Sequence, residues 1–472
     1  MQVFAGSSFV RISLAALALS AAAAPLPAQQ AAPQPADSVN LSLQEALNRA
    51  LTVGDEVRLA ERRSDAAKAQ LGVARAAQLP RLTTSGAYTH VYESARAQAV
   101  GAIFNQPNTY SANANLNVPL YQGGRAAAGV RSASRTRGAT EAELADTRQA
   151  ATLDVLGAYL DALLAERLVR IQEANLALAE QQLAQAQQLE RAGRQSRYDV
   201  LRARVQRANL EPALIQARAD REAAALELKR LTNLPPMAPL RLTSSLQSAE
   251  VQALAASLAA LAVDSAALDS LPAVRAAELR AEASRAQVTV ARADYLPTLS
   301  VFLQSGYQAF PLSGLPTSFG RLNTVDCPPG SAADRVCTQQ NGGWFTDRSA
   351  GLQVSWPVFD GFRTRSNVAL ARANADIAAA QARQAREAAA VQAANARNAL
   401  LAAQAIFAAS GQNVAEAEEA YRLAALRFSR GLGTQLEVQD AQLALLTART
   451  NEARAVHGLY LATAEVARAL GR

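Results

Sequence analysis

"NVPLYQGGR", Asn117 to Arg125, is written a second time as "SWPVFDGFR", Ser355 to Arg363, at an offset of 238 residues. Both copies read Val/Trp-Pro-aliphatic-aromatic-x-Gly-x-Arg. Proline ends a strand, glycine turns the chain, and arginine opens a helix, so the repetition predicts a duplicated fold. The duplication extends backwards. "VRLAE" (Val57 to Glu61) matches "VRAAE" (Val274 to Glu278), and "ARAAQLPRL" (Ala74 to Leu82) matches "ARADYLPTL" (Ala291 to Leu299), both at an offset of 217. The change of offset puts 21 extra residues between the two strands of the second half. Insertions collect in exposed loops, which predicts a solvent-facing end there.

The hydrophobic period changes within each half. Up to Leu79-Pro80 and Leu296-Pro297 the pattern is helical and rich in Ala, Arg and Glu, and each Leu-Pro pair predicts a helix end. Beyond it the period is two. Ala112, Leu116, Val118 and Leu120 share one face, against Ser111, Asn113, Asn115 and Asn117 on the other. The second copy sets Ala350, Leu352, Val354, Trp356 and Val358 against Ser349, Gln353 and Ser355. Apolar on one side and Asn/Gln/Ser on the other suits a wall between lipid and water. A soluble sheet packed on a helix is the competing reading, but the adjoining helices offer no broad apolar face to receive it. Four strands cannot close a barrel, and an open edge is not tolerated in lipid. Several chains must each contribute four strands, and three would supply about twelve, above the eight-stranded minimum for a lumen.

Each hairpin leads into a long helical stretch, Gly124 to Gly193 and Phe362 to Gly431, about 105 Å if continuous. Leu153, Leu156, Leu160 and Leu163 follow 3-4-3 spacing in an alanine-rich background, which suits a closely packed coiled coil. "GRQSRYDVLRAR" (Gly193 to Arg204) aligns with "GLGTQLEVQDAQ" (Gly431 to Gln442) as two hairpin tips. Gly193 and Gly431 can take the left-handed conformation that ends a helix. Ser196 and Thr434 then cap the next helix, with Asp199 and Glu437 completing capping boxes. Pro212 should bend or interrupt the first returning helix. The Pro-rich "NLPPMAPLRLTSSLQ" (Asn233 to Gln247) separates the halves, and residues 233–271, with the stretch from Val39, read as a belt around the long helices.

Arg11 followed by "ISLAALALSAAAA" (Ile12 to Ala24) reads as an export signal, too short to span a bilayer. The expectation is a signal peptide over 1–28 and a disordered linker over 29–38. No cysteine near the cut predicts the absence of a lipid anchor. The two cysteines, Cys327 and Cys337, lie in the inserted loop, where an exported chain is expected to close a disulfide rather than a metal site. With His90 and His457 as the two histidines there is little material for a metal or Ser/His site. No cofactor and no enzymatic activity are expected, since no phosphate-binding glycine loop followed by lysine is present. The formal charge of +7 is carried by arginines scattered beside Glu, Asp and Gln, with Lys68 and Lys229 the lone lysines. That reads as solvated helix faces and argues against a nucleic-acid partner.

These elements, in this order and occurring twice, resemble the TolC-like outer-membrane efflux proteins over nearly the whole mature chain. The resemblance rests on "PLYQGGR" and "PVFDGFR", the two Leu-Pro helix ends, and the two Gly-x-x-Ser/Thr-x-x-Asp/Glu-Val tips. It implies a mainly α protein with a small β part. Duplicated long antiparallel coiled-coil hairpins would form an α-helical barrel in the periplasm. Four strands per chain would join a twelve-stranded transmembrane β-barrel in a homotrimer. The first repeat would be 39–232 with its hairpin at 82–122, and 233–271 the equatorial segment. The second repeat would be 272–472 with its hairpin at 299–360 and an extracellular loop at 311–347.

By the same resemblance such a protein is a passive exit duct for drugs, other small molecules or proteins, in a tripartite efflux or type I secretion system. Its partners would be outer-membrane lipid, a periplasmic adaptor, and an inner-membrane pump or ABC transporter. The tip residues Gly193, Ser196, Asp199, Gly431 and Thr434 would meet the adaptor, and Glu437 and Asp440 map onto the family's aperture acids. Phe428 and Gly433 stand where the best-known pattern has an aromatic hydroxyl and an arginine, so the closing network must differ. The chain also stops at Arg472, without the longer tail of some members. Asp440 has no capping role, and its counterpart in the first tip is Arg202. If three Asp440 side chains converge on an axis they form a cation-attracting constriction, with Glu437 a partner; an exposed helix carboxylate is the alternative. Tyr121, Trp356, Phe359 and Phe362 sit where strands meet helices, either as an aromatic girdle at the membrane interface or as packing at the junction. The rival reading of the whole chain is a periplasmic coiled-coil adaptor.

Overall fold

The computed structural model describes residues 39–93, 95–100, 107–246, 269–311, 315 and 344–471. The expected signal peptide and linker, and both cysteines, lie outside the described residues. In chain order the elements are β1 (Val39–Leu41), α1 (Leu43–Val53), α2 (Asp55–Ala76), β2 (Arg81–His90), α3 (Ala95–Val100), β3 (Asn108–Gln122), α4 (Arg125–Arg191), α5 (Arg197–Leu231), β4 (Leu240–Leu242), α6 (Pro272–Arg292), a 3-10 turn at Ala293–Tyr295, β5 (Thr298–Ala309), β6 (Phe345–Ser355), α7 (Arg363–Ser429) and α8 (Gln435–Ala469).

The two long helices α4 and α7 are each 67 residues, or about 100 Å. Both end on a left-handed glycine, Gly193 at φ 69° and Gly431 at φ 75°, which lets the chain reverse without Cβ strain. Pro272 opens α6 at its first turn, where a missing N–H removes no helical bond. Of the two outcomes expected at Pro212, interruption does not occur, since α5 runs through it unbroken. One lost hydrogen bond is outweighed by the hold of α4 on either side of it. Arg207 pairs with Glu180 at 3.2 Å and Arg218 with Glu173 at 2.8 Å, and Leu214 is buried between them in sequence.

The main core sits at mid-height, where α1, α4, α5, α8 and the small β1–β4 sheet meet. Leu41, Leu43, Val155, Leu156, Tyr159, Leu160, Leu163 and Leu228 are buried together. The 3-4-3 leucine spacing of α4 marks this contact. Tyr159 is fully buried, and its hydroxyl donates to the Leu41 carbonyl at 3.2 Å. β1 and β4 pair in parallel, so the segment following the first repeat is tied to the segment preceding it. Away from this core the long helices pack closely through small side chains. The buried residues of α7 are Thr364, Val368, Ala375, Ala378, Ala389, Ala396 and Ser410, small side chains that permit close approach. Arginine pairs bridge neighbouring helices, Arg148 to Glu61 at 2.8 Å and Arg449 to Glu418 at 2.8 Å. Exposed pairs of this kind each contribute about 0–1 kcal/mol.

The second sheet has the order β2-β3-β5-β6 with antiparallel pairs throughout. The repeats therefore join through β3 and β5, leaving β2 and β6 as edges. All ten residues of β2 are exposed. The register sorts the side chains into rows. Leu82, Leu116, Leu303 and Ala350 form one row, and Val118, Val301 and Leu352 the next. The opposite face carries Thr83, Asn115, Gln304 and Ser349 in one row. A bulge between Pro119 and Tyr121 shifts this pattern, so Tyr121, not Leu120, pairs with Leu299 on the apolar side. The expected apolar run through Trp356 and Val358 is also corrected, since β6 stops at Ser355. Pro357 offers no donor to a ladder.

Candidate functional site

Three regions gather the residues singled out above: the strand-to-helix junctions, the far end of the sheet, and the helical tips.

At the junctions the duplicated motif gives two consecutive left-handed residues. Gly123 and Gly124 have φ 60° and 81°, and Gly361 and Phe362 have φ 68° and 66°. Phe362 thus holds a conformation that its counterpart reaches as glycine. Its ring is 64% exposed and meets Phe359 edge-on at 5.7 Å. Trp356 and Phe359 are 60% and 78% exposed, and Tyr121 is also exposed. These aromatics therefore line the surface of the junction rather than its interior. The Trp356 indole N–H donates to the Tyr295 carbonyl at 3.1 Å. On the first junction Arg125 is paired with Asp294 of the 3-10 turn. On the second, Asp360 caps α7, and the Thr364 hydroxyl, then its N–H, hold the Asp360 carboxyl below the usual range. Neither Asp294 nor Asp360 was singled out from sequence. Asp360 stands where the first copy has Gln122, and that difference was the available signal.

At the far end, Asn108 is a buried hub. Its Oδ1 accepts from the Tyr88 hydroxyl at 2.9 Å and faces His90 Nδ1 at 2.8 Å, while its Nδ2 donates to the Pro311 carbonyl at 3.3 Å. Tyr88 stacks on Tyr110 at 4.7 Å. Nothing in the sequence distinguishes the asparagine that joins these tyrosines to the second hairpin.

Both tips carry complete capping boxes. At the first, Asp199 Oδ2 accepts from the Ser196 N–H at 3.2 Å and the Ser196 hydroxyl at 2.7 Å. At the second, Glu437 Oε1 faces Thr434, and Glu437 Oε2 lies 3.8 Å from the Arg427 guanidinium. Arg427 also donates to the Leu432 carbonyl at 3.5 Å. The second tip therefore does contain a guanidinium, delivered from α7 rather than from the position of Gly433. Phe428 is half-buried. Glu437 is engaged at both oxygens, whereas Asp440 is exposed and in no ion pair among the described residues. Asp440 and its counterpart Arg202 line one groove of about 510 Å³ between α5 and α8, with Gln206 and Gln439.

Beside that groove lies a contact that sequence reasoning missed. Gln442 is buried, donating to Asn175 Oδ1 at 2.6 Å and to the Asn175 carbonyl at 3.0 Å. Its Oε1 accepts from Gln182 at 2.8 Å and Gln206 at 3.4 Å. One amide thereby ties α8 to both helices of the first hairpin. Glutamine is so frequent in these helices that nothing in the sequence distinguishes this one.

A body of duplicated long hairpins, ending in a sheet with an apolar and a polar face, defines an outer-membrane duct with a helical periplasmic part. The chain belongs to the outer membrane efflux protein family, whose model matches residues 42–234 and 263–472. It is 25% identical over 372 residues to the cobalt-zinc-cadmium resistance protein CzcC of Cupriavidus metallidurans, covering 77% of this chain and 78% of that one. To protein CyaE of Bordetella pertussis it is 27% identical over 434 residues, covering 91% and 83%. The outer membrane protein VceC of Vibrio cholerae has the same fold, with a TM-score of 0.73 at 21% identity over 91% of this chain and 96% of that one. The protein is an efflux channel of the outer membrane, not an enzyme, and membership of this family sets aside the adaptor reading.

Proposed function

We propose that three copies close their sheets into one twelve-stranded barrel and their helices into one tunnel, forming a passive duct from a periplasmic adaptor to the exterior. The carrying observation is the uncovered sheet. Its apolar face runs from the row of Tyr121, Leu299 and Val354 to the row of Tyr88, Tyr110 and Ala309. Leu299 to Ala309 is about 34 Å of strand, which at a tilt near 40° leaves about 25 Å, the height of the lipid-facing band of such barrels. Tyr121, Trp356, Phe359 and Phe362 then form the lower interface girdle, and Asn113, Asn115, Asn117 and Gln304 line the lumen. The helices support the same assembly. Leu370, Ile377 and Val391 on α7, and Leu59, Val73, Val205 and Ile215 on α2 and α5, are exposed in the single chain. Such residues are expected to be covered by neighbouring copies. Extraction that requires detergent and yields an oligomer resistant to unheated SDS supports this reading, while a water-soluble monomer overturns it.

The tips, with Gly193, Ser196, Asp199, Gly431 and Thr434, meet the adaptor, which connects to an inner-membrane pump or ABC transporter that supplies the energy. Cargo falls among drugs, other small molecules, proteins and, by analogy with the name of CzcC, metal cations. Asp440 is the aperture acid, because Glu437 is already held by Thr434 and Arg427. A unit charge about 4 Å from an ion is worth about 1 kcal/mol even in water. Asp440→Asn should therefore lower the cation-over-anion permeability ratio by about fivefold in single-channel recordings. An unchanged ratio removes Asp440 from the aperture.

A further inference from the structure

The strand register places one charge on the apolar face of the sheet. Among the described residues of β2, β3, β5 and β6, that face carries Leu82, Leu116, Val118, Leu299, Val301, Leu303, Leu352 and Val354 with small residues and tyrosines, the hydrogen-bonded His90 and Asn108 at its far end, and one arginine, Arg348. Arg348 pairs across with Ser305, and Thr346, the next residue on its face, pairs with Tyr307. It is exposed and has no ion pair among the described residues. A neighbouring copy offers none either, for the strand that would lie beside β6 in a closed barrel is β2, "RLTTSGAYTH", which contains no acid. Asp347, adjacent in sequence, points to the opposite face, where it pairs across with Gly306.

A guanidinium facing hydrocarbon turns toward the nearest interface and takes its counter-charge there. Arg348 lies level with Ser305, four residues short of Ala309 in the upper tyrosine row, about 13 Å along the strand. Its long stem points it to the outward-facing leaflet rather than to the periplasmic one. We infer that Arg348 binds a phosphate-bearing lipid headgroup of the outer leaflet, with the Thr346 and Tyr307 side chains flanking it on the same face. Arginine matches phosphate with two parallel charge-assisted hydrogen bonds, which lysine supplies only as a point charge. This rests on the reading that the apolar face meets lipid.

The test is native mass spectrometry of the detergent-extracted protein titrated with bis-phosphorylated lipid A and with the same lipid dephosphorylated. Wild type should prefer the phosphorylated lipid by about tenfold, the scale of a charged hydrogen-bonded contact. Arg348→Gln should abolish that preference, Arg348→Lys should keep part of it, and Asp347→Asn on the other face should leave it intact. A preference unchanged in Arg348→Gln overturns the assignment. So does its absence in wild type, which stands even if the variant fails to assemble. Leu303→Trp separates the two levels: quenching of the new indole by brominated lipid is expected. A loss of quenching would sink the lipid-facing reading itself, whereas quenching with no effect of Arg348→Gln sinks the lipid site alone.

Discussion

Thr84→Pro is expected to abolish the SDS-resistant oligomer while leaving the single chain folded. The register and one hydrogen bond fix the geometry. Val91 N–H donates to the Pro107 carbonyl at 2.8 Å, so residues of the same parity, Ser85 and Thr83 among them, turn their N–H groups toward β3. Thr84 pairs across with Ala114 in a position whose N–H points away, to the open edge. Proline is tolerated at an edge strand on its solvent side, so the sheet within one chain survives. In a closed barrel the same N–H must donate to the next copy, and the proline ring occupies the space of the partner carbonyl. An unmet backbone group in hydrocarbon costs several kcal/mol, and the loss recurs at each of the contacts between copies. Unheated SDS electrophoresis reads the oligomer, and far-ultraviolet circular dichroism reads the helices of the chain. Ser85→Pro is the complementary variant and should damage the sheet inside the chain as well. An oligomer of wild-type heat resistance in Thr84→Pro would mean that β2 is not a subunit contact.

The architecture was legible wherever physical chemistry acts over short spans. Glycine followed three residues later by Ser/Thr and three more by Asp/Glu specifies a left-handed stop and a capping box, and both tips have them. The leucines of α4 name the core because periodicity and burial are the same fact in a helix packed on one side. Alternation named the two faces of the sheet but missed the bulge at Pro119, since a bulge changes phase without leaving a composition signal. Pro212 does not interrupt α5, because the local rule acts there on a helix whose neighbour holds it on either side. The Gln442 hub joins residues 267 and 236 positions away. Long-range polar contacts of that kind depend on where two helices cross, which a hydrophobic pattern fixes only to within a turn. The same holds for Arg427, whose partner Glu437 is ten residues distant but across a reversal of the chain.

The duplicated junction supplies the second large effect, because sequence identity and backbone strain disagree there. Gly123→Val should destabilise the chain by about 3 kcal/mol or more. A left-handed backbone costs a non-glycine residue about 1–2 kcal/mol, and β-branching raises this. A Cβ at Gly123 would also meet the Ala293 carbonyl oxygen at 2.8 Å and the Leu296 Cβ at 3.0 Å. Those atoms belong to the turn that delivers β5, so relief requires moving the second hairpin against the first. A Cβ at Gly361, the equivalent position in the second copy, would meet nothing within 4 Å, so strain there is confined to φ. The contrast sharpens at the next residue. Phe362 already bears the left-handed penalty that Gly124 avoids, with a ring that is exposed and buries little within the chain. Phe362→Gly should therefore raise the thermal midpoint in detergent, by the equivalent of about 0.5–1 kcal/mol once the greater freedom of unfolded glycine is subtracted. The same variant should lose retention in bilayers, measured as the fraction extracted by mild detergent at fixed lipid ratio. A phenylalanine kept in a strained conformation with a mostly exposed ring, whose one ring contact inside the chain is the edge of the equally exposed Phe359, is explained by a contact outside the chain, and the interface level of the membrane is where its position puts it. Higher stability with unaltered retention would leave the strain without that explanation.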